Sequence, residues 1–363
     1  MKELSKNERR SRFLGCLLGG AAGDALGYPV EFWTERSIRS RFGPAGIRTL
    51  AEAGEPAPIS DDTQMTLFAA CALVCAACRP ELTPEKALRA AYVEWLTTQL
   101  GPVLIGKPRP LMWIWEDRRL HEERAPGNTC LQSLTLLGRD PDLGAAKNDS
   151  KGCGTVMRAA PFGLTRLLGP EADPEENLRA ARALARCDAA ITHGHPAAAE
   201  ASALLAAIVF RCVNGFGEGS LADLVRGELG EGAVADLVRR ALALAEDPAV
   251  QDLEGIHALG EGWVADEALA IAVFCAVRHE DDFAAALRAA VNHQGDSDST
   301  GAVCGNILGA RLGVKAVAAA FPPKELELSD ITLQMGEDLF LAAEGELPGP
   351  GKDPLWDQQY YNR

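Results

Sequence analysis

Residues 295–313 read GDSDSTGAVCGNILGARLG. The first half sets two aspartates, Asp296 and Asp298, among hydroxyl side chains. The second half is apolar and carries glycine at every fourth position, at Gly301, Gly305, Gly309 and Gly313. Positions four apart line one face of an α-helix, so the segment reads as a helix with a glycine ridge. Gly15, Gly19, Gly23 and Gly27 repeat the spacing within GCLLGGAAGDALG at 15–27. Glycine inside a helix costs roughly 0.5–1 kcal/mol relative to alanine, so four in a row need a compensating reason. Loose composition bias is the plain reading. Close helix–helix approach is the sharper one, with the two ridges as candidate partners for each other.

The rest of the chain fits a helical protein. Its 363 residues suffice for one large domain or two ordinary ones. A content of 47% hydrophobic and 24% charged residues is that of a soluble globular chain. Alanine-rich stretches are common and β-branched alternation is scarce. Helical periodicity predicts helices near 11–26, 63–78, 84–98, 176–191, 196–213, 233–246, 281–292 and 299–312. Thr83-Pro84-Glu85 and Asp173-Pro174-Glu175 each place a capping residue before a proline at the first helical position. Loops are expected near 43–59, 101–110, 124–128, 138–154 and 214–219. The expected fold class is therefore all-α, a single compact multi-helix domain over residues 1–321. A less ordered, acidic and proline-bearing tail follows over 322–363, and its aromatic end, DPLWDQQYYNR, is a candidate for docking on the domain or on a partner subunit.

The 36 basic and 51 acidic residues give a formal net charge of −15. Such a balance carries no broad footprint for nucleic-acid backbones or anionic membranes, so extended nucleic-acid binding is not expected. The opening MKELSKNERRSRF does not read as a secretory signal. The apolar stretch after it is short and interrupted by Asp24, which suits a core helix and not a membrane span. Ten cysteines without a framework fit reduced thiols, and a cytoplasmic location is expected.

Asp296 and Asp298 have a counterpart in Ser60-Asp61-Asp62-Thr63, which also precedes a long apolar segment. Ser, Thr and Asp are the preferred helix caps, and acids suit the positive end of the helix dipole. One cap needs one side chain, however, and paired acids repel unless something positive lies between them. Carboxylates with hydroxyl oxygens form an all-oxygen set that suits Mg²⁺ or Mn²⁺ better than zinc. The residues alone leave cap and ligand both open. NDSKGCGTVMR at 148–158 reads as a glycine-bearing loop entering a helix, and the N–H groups of Gly152, Cys153 and Gly154 are suited to an anion, although a plain turn also explains it. His193 and His195 in THGHP fit a structural role before a helix better than a metal pair. Cys71, Cys75 and Cys78 match an iron–sulfur spacing, but they share one face of an alanine-rich helix, where cysteine packs as a small hydrophobe.

With both acidic motifs in view, the chain resembles the ADP-ribosylglycohydrolase family, which includes dinitrogenase reductase-activating glycohydrolase and the ADP-ribosylarginine hydrolases. The matching stretches are GCLLGGAAGDALGYPVEF (15–32), SDDTQMT (60–66), PGNTC (126–130), SKGCGTVMRAAPFGL (150–164), THGHP (192–196) and GDSDSTGAVCGNILGA (295–310), in the family's order. The resemblance implies the family's all-α fold, a site for two Mg²⁺ (or Mn²⁺) ions, an ADP-ribosylated protein as substrate and ADP-ribose as product. It implies Ser60, Asp61, Asp62, Asp296, Asp298 and Ser299 as ligands, with Thr300 the alternative to Ser299. Glu31 and Asp62 are implied as the residues that handle a proton. Gly127, Asn128, Thr129, Ser150, Gly152, Cys153, Gly154, Met157, Arg158 and His193 are implied as substrate contacts. GDSDSTG resembles the arginine-directed branch, so ADP-ribosylarginine is the first expected target. The alternatives are serine, a nucleic acid or a small molecule as acceptor, or a non-catalytic ADP-ribose-binding or immunity module of the same fold.

Overall fold

A computed structural model describes residues 4–101, 110–215 and 219–362. Most of the loops expected at 101–110 and 214–219 lie outside the described residues. The longer helices are α1 (Lys6–Gly27), α2 (Asp61–Cys78), α3 (Pro84–Leu100), α4 (Asn128–Arg139), α5 (Pro174–Thr192), α6 (Pro196–Asn214), α7 (Ala233–Glu246), α8 (Ala265–Arg278), α9 (Phe283–Val291), α10 (Ser297–Leu312) and α11 (Ser329–Glu344). Among the described residues there is no β-strand, only two isolated bridges.

The two glycine ridges do meet. α1 and α10 run antiparallel in a fixed register. A Cβ built on Gly15 would strike the carbonyl oxygen of Gly309, one on Gly19 that of Gly305, and one on Gly23 that of Gly301. The reciprocal clashes arise from Gly301, Gly305 and Gly309, all closer than the 3.0 Å that real Cβ atoms respect. Backbone thus lies directly on backbone along the seam. Asn306 adds a polar stitch, donating from its side-chain amide to the Cys16 carbonyl at 2.8 Å.

Around this pair pack α2, α6, α8, α9 and α11. The helices start where the capping chemistry places them. Thr83 accepts from the Lys86 amide at 3.4 Å, and Asp173 accepts from those of Glu175 and Glu176 at 2.9 and 3.1 Å. α1 begins earlier than the periodicity suggests, because Ser5 and Glu8 form a reciprocal capping box. Cys71, Cys75 and Cys78 are buried on α2, as free thiols. Two segments, Lys6–Val30 and Pro196–Asn214, are long and apolar enough to cross a membrane, and they bury 83% and 72% of their apolar windows inside the protein.

The segment read as a less ordered tail contains α11, which packs on α1 and buries Ile331, Met335, Leu339 and Phe340. Phe340 meets Phe13 edge-on at 5.5 Å between centroids. The aromatic end docks too: Tyr360 is buried and donates from its hydroxyl to Asp338 at 2.5 Å.

The seam makes an unusual demand on a helical glycine. Gly305→Ala is expected to destabilise the protein by roughly 1–3 kcal/mol through overpacking. Gly227→Ala, in a helix where an added Cβ meets nothing within 4 Å, is expected to be neutral or stabilising by up to ~1 kcal/mol. Urea denaturation of the two variants measures the difference.

Candidate active site

Near the C-terminal end of α1 in the seam, Asp24 is fully buried. Its carboxylate accepts the backbone N–H of Ser60 at 3.0 Å and that of Thr63 at 3.1 Å, and the Thr63 hydroxyl also donates to it. These are the orphan donors at the start of α2, so Asp24 fixes that helix start against α1. At the same place Ser297 Oγ donates to the Gly27 carbonyl at 3.2 Å and fixes the start of α10. Both acidic motifs therefore open their helices at one end of the seam. Asp24 escapes the sequence reading, which takes it only as an interruption; its signal is a lone acid inside a ridge that excludes solvent.

Glu31, Asp61, Asp62, Asp296 and Asp298 line one cleft of about 320 Å³. Oxygens of Glu31, Asp296 and Asp298 lie within 4.8 Å of one another, and all three residues are buried. The Ser299 hydroxyl hydrogen-bonds Asp62, which joins the two motifs. Burial is the main cause of an upward shift in Glu31, Asp61, Asp62 and Asp298, and repulsion between neighbouring acids adds to it. Glu31 is pushed up to about 9, with Asp296 and Asp61 the chief neighbours. Asp61, Asp62 and Asp298 are held well above the ordinary carboxylate range, and Asp24 behind them is raised to about 6.

Glu31 Oε2, Asp62 Oδ2 and Asp296 Oδ2 are buried without a hydrogen-bond partner. Unpartnered buried carboxylate oxygens are costly unless a cation or a proton compensates them. The donor set is all oxygen and converges from two helix starts, so the residues present fit a hard divalent cation such as Mg²⁺ or Mn²⁺.

The other expected residues take varied positions. Ser299 lines the cleft, and its amide donates to Asp296 and Asp298 at 3.2 and 3.0 Å. Thr300 instead donates to the Ala290 and Asp296 carbonyls and meets His293 at 3.0 Å, so its hydroxyl is spent away from the cleft. Ser60 is buried behind the cleft, where its hydroxyl caps the Asp62 amide at 3.1 Å. Gly127, Asn128, Thr129, Gly152, Cys153, Gly154, Met157 and His193 line the cleft. Ser150 sits one contact back, 3.2 Å from the Thr129 hydroxyl.

Two expectations are corrected. Arg158, expected at the substrate, is fully buried and does not line the cleft. It pairs with Asp188 at 3.0 Å, donates to the Gly154 carbonyl at 2.6 Å, and lies over the Tyr92 ring at 4.4 Å. A buried guanidinium needs such a partner, and Asp188 occupies it. The amides of Gly152 and Cys153, expected to cradle an anion, are also occupied, by Ser150 Oγ at 3.4 Å and the Trp263 carbonyl at 3.2 Å. The start of α4 has no side-chain cap and lines the same cleft, so it is the helix terminus suited to a phosphate.

The glycines of the loop serve another need. A Cβ on Gly154 would lie 2.8 Å from Cys130 Sγ, and one on Gly152 would lie 3.1 Å from His193 Nε2. His193 is buried against them and its pKa is lowered to about 3, by burial first and then by Arg158. It is a neutral ring under the loop. His195 caps α6, accepting from the Ala197 amide at 3.0 Å. Phe32 and Trp263 also line the cleft; sequence reading passes over both, since lone exposed aromatics carry no spacing signal.

Because folding raises these carboxyl pKa values, the folded chain takes up protons. In the cation-free protein the resulting stability is complete below the ordinary carboxylate range and is lost as pH rises toward about 9. A cation bound at these carboxyls would replace those protons, so its binding would release protons and strengthen with pH. The melting temperature of EDTA-treated protein is expected to fall between pH 5 and pH 8.5, and Mn²⁺ or Mg²⁺ to restore it more at the higher pH. An equal rise at both pH values would contradict cation binding at these carboxyls.

Comparisons with known proteins agree with this geometry. The ADP-ribosylglycohydrolase family model matches residues 5–347. ADP-ribosyl-[dinitrogen reductase] glycohydrolase of Rhodospirillum rubrum is 27% identical over 323 residues, covering 86% of this chain and 90% of the relative. An uncharacterised protein of Archaeoglobus fulgidus is 29% identical over 309 residues, covering 83% and 87%. A solved structure titled as an ADP-ribosylglycohydrolase-related protein complex superimposes with a TM-score of 0.63 at 25% identity, covering 93% of this chain and 99% of that one. With its all-helical fold, its paired acidic helix starts and a family match running nearly end to end, this chain belongs to the ADP-ribosylglycohydrolase family.

Proposed function

We propose that this protein is a cation-dependent ADP-ribosyl-acceptor hydrolase that removes ADP-ribose from arginine side chains of a modified protein. The observation that carries the reading is the convergence of Asp62 with Asp296 and Asp298 in one cleft, with buried carboxylate oxygens left unpartnered. Asp61, Asp62, Asp296 and Asp298 would hold two Mg²⁺ or Mn²⁺ ions, with Ser299 beside them, Ser60 behind and Glu31 in the same cleft. When bound, such ions supply the positive charge that fixes vicinal hydroxyls and polarises the reacting carbon.

The protein's own groups do the rest. Glu31, which lines the same cleft beside these acids, is placed to donate a proton to the departing nitrogen or oxygen. Asp62, with Oδ2 unpartnered, is placed to accept a proton from the attacking water. The start of α4, without a side-chain cap and lining the cleft, would receive the pyrophosphate, and Arg158 holds the glycine loop from behind. The acidic lining of the cleft favours a cationic acceptor such as arginine. The name of the Rhodospirillum rubrum relative, ADP-ribosyl-[dinitrogen reductase] glycohydrolase, supports a protein as the substrate.

The test is incubation with mono-ADP-ribosylated arginine, serine and nucleic-acid substrates, with Mg²⁺, with Mn²⁺ and with EDTA. Cation-dependent release of ADP-ribose from the arginine-linked substrate is expected. Asp61→Ala and Asp298→Ala are each expected to lower turnover on the order of 10²-fold or more while the fold persists, monitored by circular dichroism. Binding of ADP-ribose without release from any substrate would make the protein a binding module.

A further inference from the structure

Two aromatic rings stand across the mouth of the acidic cleft. Phe32 is 71% exposed and Trp263 is 38% exposed. Their ring centroids are 5.7 Å apart and their planes differ by 17°, an offset stack. A contiguous exposed aromatic pair beside a cleft is the kind of apolar patch that marks a binding site. Both are set in place by backbone. Phe32 directly follows Glu31 in a turn closed by the Trp33 amide on the Val30 carbonyl at 2.8 Å. Trp263 is tied to the glycine loop, with its carbonyl accepting the Cys153 amide and the Ala265 amide donating to the Lys151 carbonyl at 2.8 Å.

Position decides what such a pair would meet. The carboxylates fill the deep part of the cleft, where the distal ribose would be held. The bond to be broken joins that ribose to its acceptor, so the acceptor extends outward past Glu31, toward the residue that follows it. A ring as exposed as Phe32 retains a face open to solvent, and Trp263 backs its other side. A planar, delocalised, weakly hydrated cation is the group that aromatic faces bind best, and the negative charge behind the rings favours it further.

We propose that Phe32 and Trp263 form the acceptor-recognition element of the cleft, taking the guanidinium group of an ADP-ribosylated arginine on their π faces. The proposal rests on the arginine reading given under Proposed function. A serine hydroxyl offers these rings no charge and no plane, so the pair would select the acceptor and leave ADP-ribose binding alone.

The experiment compares wild type, Phe32→Leu, Trp263→Leu and Phe32→Tyr on an ADP-ribosylarginine peptide with Mn²⁺ present, with free ADP-ribose binding measured by calorimetry. The leucine variants keep apolar bulk without a π face. Each is expected to raise KM by roughly 3–30-fold, with a smaller change in kcat, while Phe32→Tyr stays near wild type. ADP-ribose affinity is expected to hold in all four proteins. Unchanged KM in both leucine variants overturns the proposal. So does a parallel loss of ADP-ribose affinity, which would make the rings a contact for the nucleotide itself. Wild type that releases ADP-ribose only from non-arginine substrates overturns the arginine reading and this proposal with it, a result distinct from an active wild type with indifferent variants.

Discussion

The backbone-on-backbone seam between α1 and α10 is the constraint from which the rest follows. Three glycines on each helix face carbonyl oxygens of the other, so no side chain separates the two and the register has no freedom to slide. Because every contact is reciprocal, a shift of one residue would set Cβ atoms of neighbouring residues against backbone along the whole length. The seam does not contribute chemistry. It sets where two helix ends lie, and the acids follow from that.

At that end the protein concentrates carboxylates beyond what burial alone tolerates. Asp24 is satisfied by the start of α2 and stays structural. The five acids of the cleft have fewer internal partners, and three of their oxygens have none. The contrast separates the roles more clearly than residue type does, since all six are buried acids. Asp24 commits both carboxylate oxygens to the start of α2, while Glu31, Asp62 and Asp296 each keep one oxygen available to a ligand.

Much of this is legible in the sequence, and for physical reasons. The glycine ridges are a periodic signal with an energetic cost, so their spacing by itself points to close packing. Thr83 and Asp173 sit before prolines and fix helix starts locally. α8 gives no comparable signal, because it is buried nearly all round and begins after Val264 without a side-chain cap, so it has neither a polar face nor a marked start. α11 is hidden by the proline and acid content around it, while its buried face packs on α1. Arg158 is misread because its partner, Asp188, lies on a different helix that spacing cannot bring near. The occupied amides of Gly152 and Cys153 resist reading for a related reason: the group that takes the Cys153 amide is the carbonyl of Trp263, distant in the chain. Local rules reach caps and ridges, and they stop where pairing is decided by tertiary contact.

The seam also orders events in time. Its two strips of backbone are separated by most of the polypeptide; Ser297 and Gly27, which close its end, lie 270 residues apart. Closing so long a loop is entropically slow, and nothing within the first helix can substitute for the missing partner. A chain that ends before α10 lacks the partner that covers the glycine face of α1 in the folded protein. The acids of the first motif are likewise without those of the second. An incomplete chain thus holds only half of the acidic cleft, and the cleft can close only once translation has passed the second motif.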